Sequence, residues 1–186
     1  MIIEEDTDNG VYAISLVTTP ATGEEFVMLS EQKPIDLKFA EVSKDERLLL
    51  GLVLQPNQKI YRRDANGEEY EIFFREQTIK KAAQLYLQNQ HQHNVTFEHQ
   101  TEIEGVTMVE SWIVADSQKD KSAAYGKEYP VGSWIAVLKV NDPKMWEDFK
   151  ENSTIKGFSL EGLFTPKKQV TEMSAVEKLN YLRSII

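Results

Sequence analysis

Apolar and polar positions change rhythm several times along the chain, and each rhythm predicts an element. Residues 11–17 are mostly apolar and end at Thr18-Thr19-Pro20-Ala21, which predicts a strand closed by a turn. Residues 25–29 predict a short second strand before the break at Pro34, and residues 37–42 alternate with the period of two expected of a half-buried strand. Residues 48–54, Leu-Leu-Leu-Gly-Leu-Val-Leu, are nearly continuous apolar, the pattern of a strand covered on both faces. Ile60-Tyr61 and residues 70–74 flank Asp64-Ala65-Asn66-Gly67, and Asn-Gly between two such runs predicts a hairpin.

From residue 76 to 87 the period becomes helical, with Ile79, Ala82, Ala83 and Tyr86 on one face and Leu85 beside them. Residues 88–93 are polar and predict a loop; residues 95–98 and 106–114 predict strands. Residues 116–127 are charged and contain a glycine, so a mobile surface loop is expected there. A strand follows over 134–140. Asn141-Asp142-Pro143 then caps a helix to about residue 150, with Pro in the first turn where its missing N–H costs nothing. Residues 156–164 predict a last strand, Lys167 and Lys168 open a polar hinge, and residues 174–185 predict a terminal helix. The sum is an α+β, β-rich domain over residues 1–166, followed by a hinge and helix over 167–186.

Composition narrows the classes of function. The 186 residues are 41% hydrophobic and carry a net charge of -9, which suits one soluble domain and disfavours a nucleic-acid partner, because phosphates are repelled by a field of that sign. The chain has no cysteine, which excludes disulfides, thiolate metal sites and a Cys nucleophile. A reducing cytoplasm is the expected compartment. No basic-then-apolar leader is visible at the start, and no apolar run approaches the roughly 20 residues of a membrane helix, so neither secretion nor a membrane partner is expected.

The three histidines filter the chemistry. His91 and His93 are spaced as a metal pair could be, but no third ligand stands near them in the sequence, and a solvated loop is the better reading. No metal or other cofactor is therefore expected. His99 follows Val95-Thr96-Phe97-Glu98, at a strand end where a side chain can face a cleft. Ser159 lies in Lys156-Gly157-Phe158-Ser159-Leu160-Glu161-Gly162, where two glycines imply close backbone approach by a neighbouring element or a substrate chain. The Gly-x-Ser-x-Gly elbow is not met, since the second glycine is one residue too far on. A hydroxyl nucleophile needs an imidazole base, and that base needs an orienting group. Two acids qualify. Glu110, in Val109-Glu110-Ser111-Trp112, is a carboxylate on an otherwise apolar strand, which calls for a partner there, either the imidazole or a Lys or Arg. Glu161 lies two residues beyond Ser159 and so on the same strand face.

Four segments in order, Asn94-Val95-Thr96-Phe97-Glu98-His99, Val109-Glu110-Ser111-Trp112-Ile113, Gly132-Ser133-Trp134 and Gly157-Phe158-Ser159-Leu160-Glu161-Gly162, resemble the phage serine proteases of prophage elements, relatives of the prohead (procapsid maturation) proteases. Residues 70–74, and Ser15-Leu16-Val17 followed by Pro20-Ala21, resemble the same family, so the likeness spans about residues 10 to 165. The resemblance implies a bent, mostly antiparallel barrel with surrounding helices, as in herpesvirus assemblin. It implies Ser159 as nucleophile, His99 as base and, since no His follows Ser159, an acid as third member. Glu110 is carried in that role, with Glu161 as the second candidate. Gln100 departs from the acid expected after the His. The implied activity is an endopeptidase that cleaves scaffold and major capsid protein, and itself, inside the procapsid in the host cytoplasm. The resemblance leaves a homodimer or higher oligomer open. The competing readings are an inert structural or scaffold-associated virion protein of the same fold, and a metal hydrolase.

Overall fold

The computed structural model describes residues 2–24, 27–29, 46–63, 67, 69–152, 155–167 and 176. In chain order the elements are β1 (Ile2–Val17), β2 (Val27–Leu29), β3 (Leu48–Leu54), β4 (Ile60–Arg63), β5 (Glu69–Ile72), α1 (Glu76–Gln88), β6 (Val95–Phe97), β7 (Thr101–Glu102), β8 (Val106–Ile113), β9 (Trp134–Val140), α2 (Pro143–Asn152) and β10 (Gly157–Lys167). Short 3-10 turns occupy His91–His93 and Lys121–Tyr125. One four-stranded sheet has the order β10-β1-β6-β7, a second has the order β2-β3-β9-β8, and β4 pairs with β5 alone.

The apolar pattern explains the layers. Along β9, Trp134, Ala136, Leu138 and Val140 join the main core, while Ile135 and Val137 point the other way into a second cluster. β3 behaves alike: Leu49 faces the main core and Leu50 and Leu52 the second cluster, and a bulge between Leu52 and Leu54 sends both Val53 and Leu54 inward. Both strands are thus buried on two faces, as the continuous apolar run predicts for β3. Ile14 and Leu16 of β1, Val95 of β6 and Phe158 of β10 supply the first sheet's share of the main core, and α1 adds Ile79, Ala82, Ala83 and Tyr86.

The second cluster corrects the expectation of a mobile loop over 116–127. Val114 and Tyr129 are buried in that cluster, with Trp112 and Tyr125 packed against it. Asp116 Oδ1 accepts the backbone N–H groups of Gln118 and Lys119, and Asp120 accepts the Ser122 N–H, the Ser122 hydroxyl and the Trp112 indole N–H. A charged sequence here conceals a capped 3-10 turn that covers an apolar sheet face.

Other departures are smaller. The polar residues 91–93 form a 3-10 turn, with His91 tilted against the Tyr86 ring and His93 Nδ1 3.0 Å from Thr107 Oγ1. α2 begins after Asp142, whose Oδ1 accepts the Lys144 N–H at 2.7 Å. β10 continues through Lys167, which pairs with Ile2, so the sheet runs into the start of the expected hinge. The strand expected over 37–42 lies outside the described residues, as does the terminal helix apart from Val176. The class is α+β and strand-rich, but the barrel implied by resemblance is not closed: among the described residues both four-stranded sheets end in open edges. No described helix is long and apolar enough to cross a membrane.

Candidate active site

Strand register builds the site. β1 lies between β10, antiparallel to it, and β6, parallel to it, and Ser15 stands opposite Ser159 on one side and Thr96 on the other. Residues opposite one another in a ladder project to the same face, so Ser159, Ser15 and Thr96 form a row of hydroxyl residues across three strands. Ile14, Leu16 and Phe158, one position along, turn to the main core. Glu161 is two residues beyond Ser159 and shares the face of the row.

From there its side chain spans β1. Thr96 Oγ1 donates a hydrogen bond to Glu161 Oε1, and His99 Nδ1 stands 3.3 Å from the same oxygen. The Glu161 side chain is 18% exposed and that of His99 41%, so the carboxylate is shielded while the imidazole opens to solvent. An ionised carboxylate only accepts, which favours the tautomer with the proton on Nδ1 and leaves the lone pair on Nε2. Ser159 itself is only 8% exposed, and its hydroxyl forms no hydrogen bond to another described residue.

His99 sits on a strained turn. Glu98 and His99 both adopt positive φ, 49° and 58°, although neither is glycine. Such a backbone costs about 1–2 kcal/mol per residue. Hydrogen bonds offset it: Glu98 N donates to Leu16 O, Thr18 N to Glu98 Oε1, Gln100 N to Phe97 O and His99 N to Ser15 Oγ. All but one of these run to the end of β1. A groove of about 600 Å³ is lined by Thr96 and Glu161 together with Tyr12, Glu102, Ile103 and Val106 among others, but not by Ser159 or His99.

Among the residues expected from the sequence, the structure brings His99 and Glu161 together and sets Ser159 on their face. Glu110 is placed elsewhere. It lies on β8, at the edge of the other sheet, and is ion-paired with Lys121. The reason is topological: an edge strand leaves Glu110 half-exposed, so the carboxylate meets a surface lysine rather than the imidazole. Of the two partners open to Glu110 in the sequence, the structure supplies the cation. The two glycines around Ser159 are explained by neighbouring chain. A Cβ on Gly157 would come within 2.7 Å of Glu24 O and of Pro20 Cγ, and one on Gly162 within 2.9 Å of Gly10 O.

Three contributors escaped the sequence reading as individuals: Ser15, Thr96 and Glu98. The usable signal was Ser15, a lone hydroxyl inside the apolar run 11–17, since a buried hydroxyl demands a partner.

Comparison with known proteins adds one finding. Residues 36–166 match the family model described as "Putative phage serine protease XkdF". No curated protein and no solved structure matches the chain. The matched span takes in the turn carrying His99 and the strand carrying Ser159 and Glu161, with Thr96 but not Ser15 of the row, and it covers most of the chain, so the chain belongs to this family of phage serine proteases.

Proposed function

We propose that the chain is a serine endopeptidase in which Ser159 is the nucleophile, His99 the general base and Glu161 the orienting acid. The observation that carries this reading is the single Glu161 oxygen facing both the Thr96 hydroxyl and His99 Nδ1, on the face that holds Ser159. With Nδ1 protonated, Nε2 takes the Ser159 hydroxyl proton as Oγ attacks a peptide carbonyl. The tetrahedral adduct collapses, the C–N bond breaks and Nε2 returns its proton to the leaving amine. Water then repeats the sequence on the acyl-enzyme. Glu161 remains ionised and stabilises the imidazolium formed in each step.

The substrates in this reading are segments of phage scaffold and major capsid protein, and the chain itself, cut within an immature shell in the host cytoplasm. The groove of about 600 Å³ meets this site only through Thr96 and Glu161, and neither Ser159 nor His99 lines it. The reading also relates the fold to herpesvirus assemblin. Its support is the pair of strand-rich sheets that meet where β3 lies against β10.

The test is mass spectrometry of the chain and its Ser159→Ala variant, each incubated with the scaffold and capsid proteins and, separately, with a fluorophosphonate probe. Fragments and a Ser159 adduct from the unaltered chain, absent in the variant, are expected. Equal cleavage by both removes Ser159 from the role. Neither fragments nor adduct from either chain favours an inert virion protein of the same fold.

A further inference from the structure

We infer that Ser15 is a positioning residue of this active site, holding the backbone of His99 so that the imidazole meets the Glu161 oxygen on the face that holds Ser159. The inference rests on the serine-protease reading and concerns a residue outside the matched span 36–166.

Ser15 is fully buried, and its neighbours Ile14 and Leu16 are committed to the core. Its hydroxyl has two partners, both on the segment that carries the base. Oγ accepts the N–H of His99 itself at 2.9 Å and donates to Thr96 O at 3.5 Å. The first bond falls on a residue whose φ of 58° an L side chain rarely adopts. Without an acceptor at Ser15, the His99 N–H loses its partner and the turn is released from one of the contacts that offset its strain. Relaxation at that residue swings the imidazole away from the Glu161 oxygen. Thr96 touches both residues, its carbonyl through the long contact to Ser15 Oγ and its hydroxyl through the hydrogen bond to Glu161. Acid, base and nucleophile are thereby referred to one point on β1.

The experiment uses the full chain and Ser15→Ala, with Ser15→Cys, near in volume but a poor acceptor, as the second variant should alanine impair folding. Two readouts are taken: the limiting rate of Ser159 labelling by a fluorophosphonate probe per folded molecule, and the imidazole nitrogen NMR spectrum of His99. Labelling about 100-fold slower, with probe affinity unchanged and the Nδ1-protonated signature of His99 lost or mixed, is expected of a misplaced base. Labelling at the original rate, or slow labelling with an unchanged His99 spectrum, overturns the inference, because a residue that merely supports the fold would not alter the tautomer. If the unaltered chain itself is not labelled, the catalytic reading fails separately. The His99 spectrum then decides alone whether Ser15 holds the imidazole.

Discussion

At the scale of the residue, the structure gives the two candidate carboxylates different partners. Glu161 shares one oxygen between a hydroxyl donor and the His99 ring, and it is shielded. Glu110 faces Lys121 in an ion pair whose side chains are 41% and 46% exposed, and pairs of that kind contribute about 0–1 kcal/mol. Replacing Glu161 by Gln puts an amide beside Nδ1 and favours the wrong tautomer, so cleavage by Glu161→Gln should fall by about 10³- to 10⁴-fold. Glu110→Gln should stay within about twofold. Steady-state rates on one peptide substrate compare the two; a larger loss for Glu110→Gln would return the orienting role to β8.

At the scale of the element, β10 is set against β1 by glycine. Gly157 pairs with Val17, and Lys156 N donates to Val17 O at 2.9 Å, so this end of the ladder closes just where residues 20–24 fold back over it. A methyl group at residue 157 meets backbone oxygen and a proline ring, neither of which yields as the end of a flexible chain would. Gly157→Ala should destabilise the fold by about 1–3 kcal/mol, read as a lower midpoint in urea. Activity should fall with it, since Ser159 lies two residues along the same strand. An unchanged midpoint would mean that the Pro20–Glu24 turn moves aside without cost. The strained turn at Glu98 and His99 belongs to this scale too: two short strands and the end of β1 hold the backbone that presents the imidazole.

At the scale of the whole molecule, the second cluster makes the fold sensitive to alkali. Tyr129 is 2% exposed, its hydroxyl has no hydrogen-bond partner among the described residues, and its pKa is pushed up from 10.0 to about 12 by burial and then by the Glu24 charge. Tyr86 is shifted upward as well, by burial in the main core. In the unfolded chain a tyrosine ionises near pH 10, whereas the folded state holds these two protonated to higher pH. Stability is therefore complete below about pH 10 and is lost as pH rises toward 12. Urea midpoints taken from pH 9 to 12 should show that decline. Tyr129→Phe removes a buried hydroxyl without a partner, so it should leave stability at pH 8 unchanged or higher and flatten the alkaline decline. A decline of the same slope in that variant would place its origin outside Tyr129.

Much of the architecture was determined by the sequence alone, because one-dimensional periodicity reports how many faces of an element are buried. Residues 48–54 and 134–140 are strands over the predicted spans, and the buried face of α1 contains Ile79, Ala82, Ala83 and Tyr86 as its spacing requires. His99 at a strand end and Ser159 between two glycines could likewise be singled out from local pattern. The partner of His99 could not. Whether Glu110 or Glu161 approaches an imidazole depends on which strands are neighbours and in what register, and residues 62 positions apart in the chain carry no local trace of it. Nor could charge along 116–127 reveal that the segment covers an apolar sheet face, since within it Ser122 is buried and Tyr125 packs on the cluster that the flanking Val114 and Tyr129 belong to, with Asp120 making the hydrogen bonds. Local pattern thus specified both described helices and the described strands other than β7, while the tertiary structure decided which polar groups meet. Backbone periodicity is a property of neighbours in sequence, whereas the pairing of a carboxylate, a hydroxyl and an imidazole is a property of the sheet that assembles them.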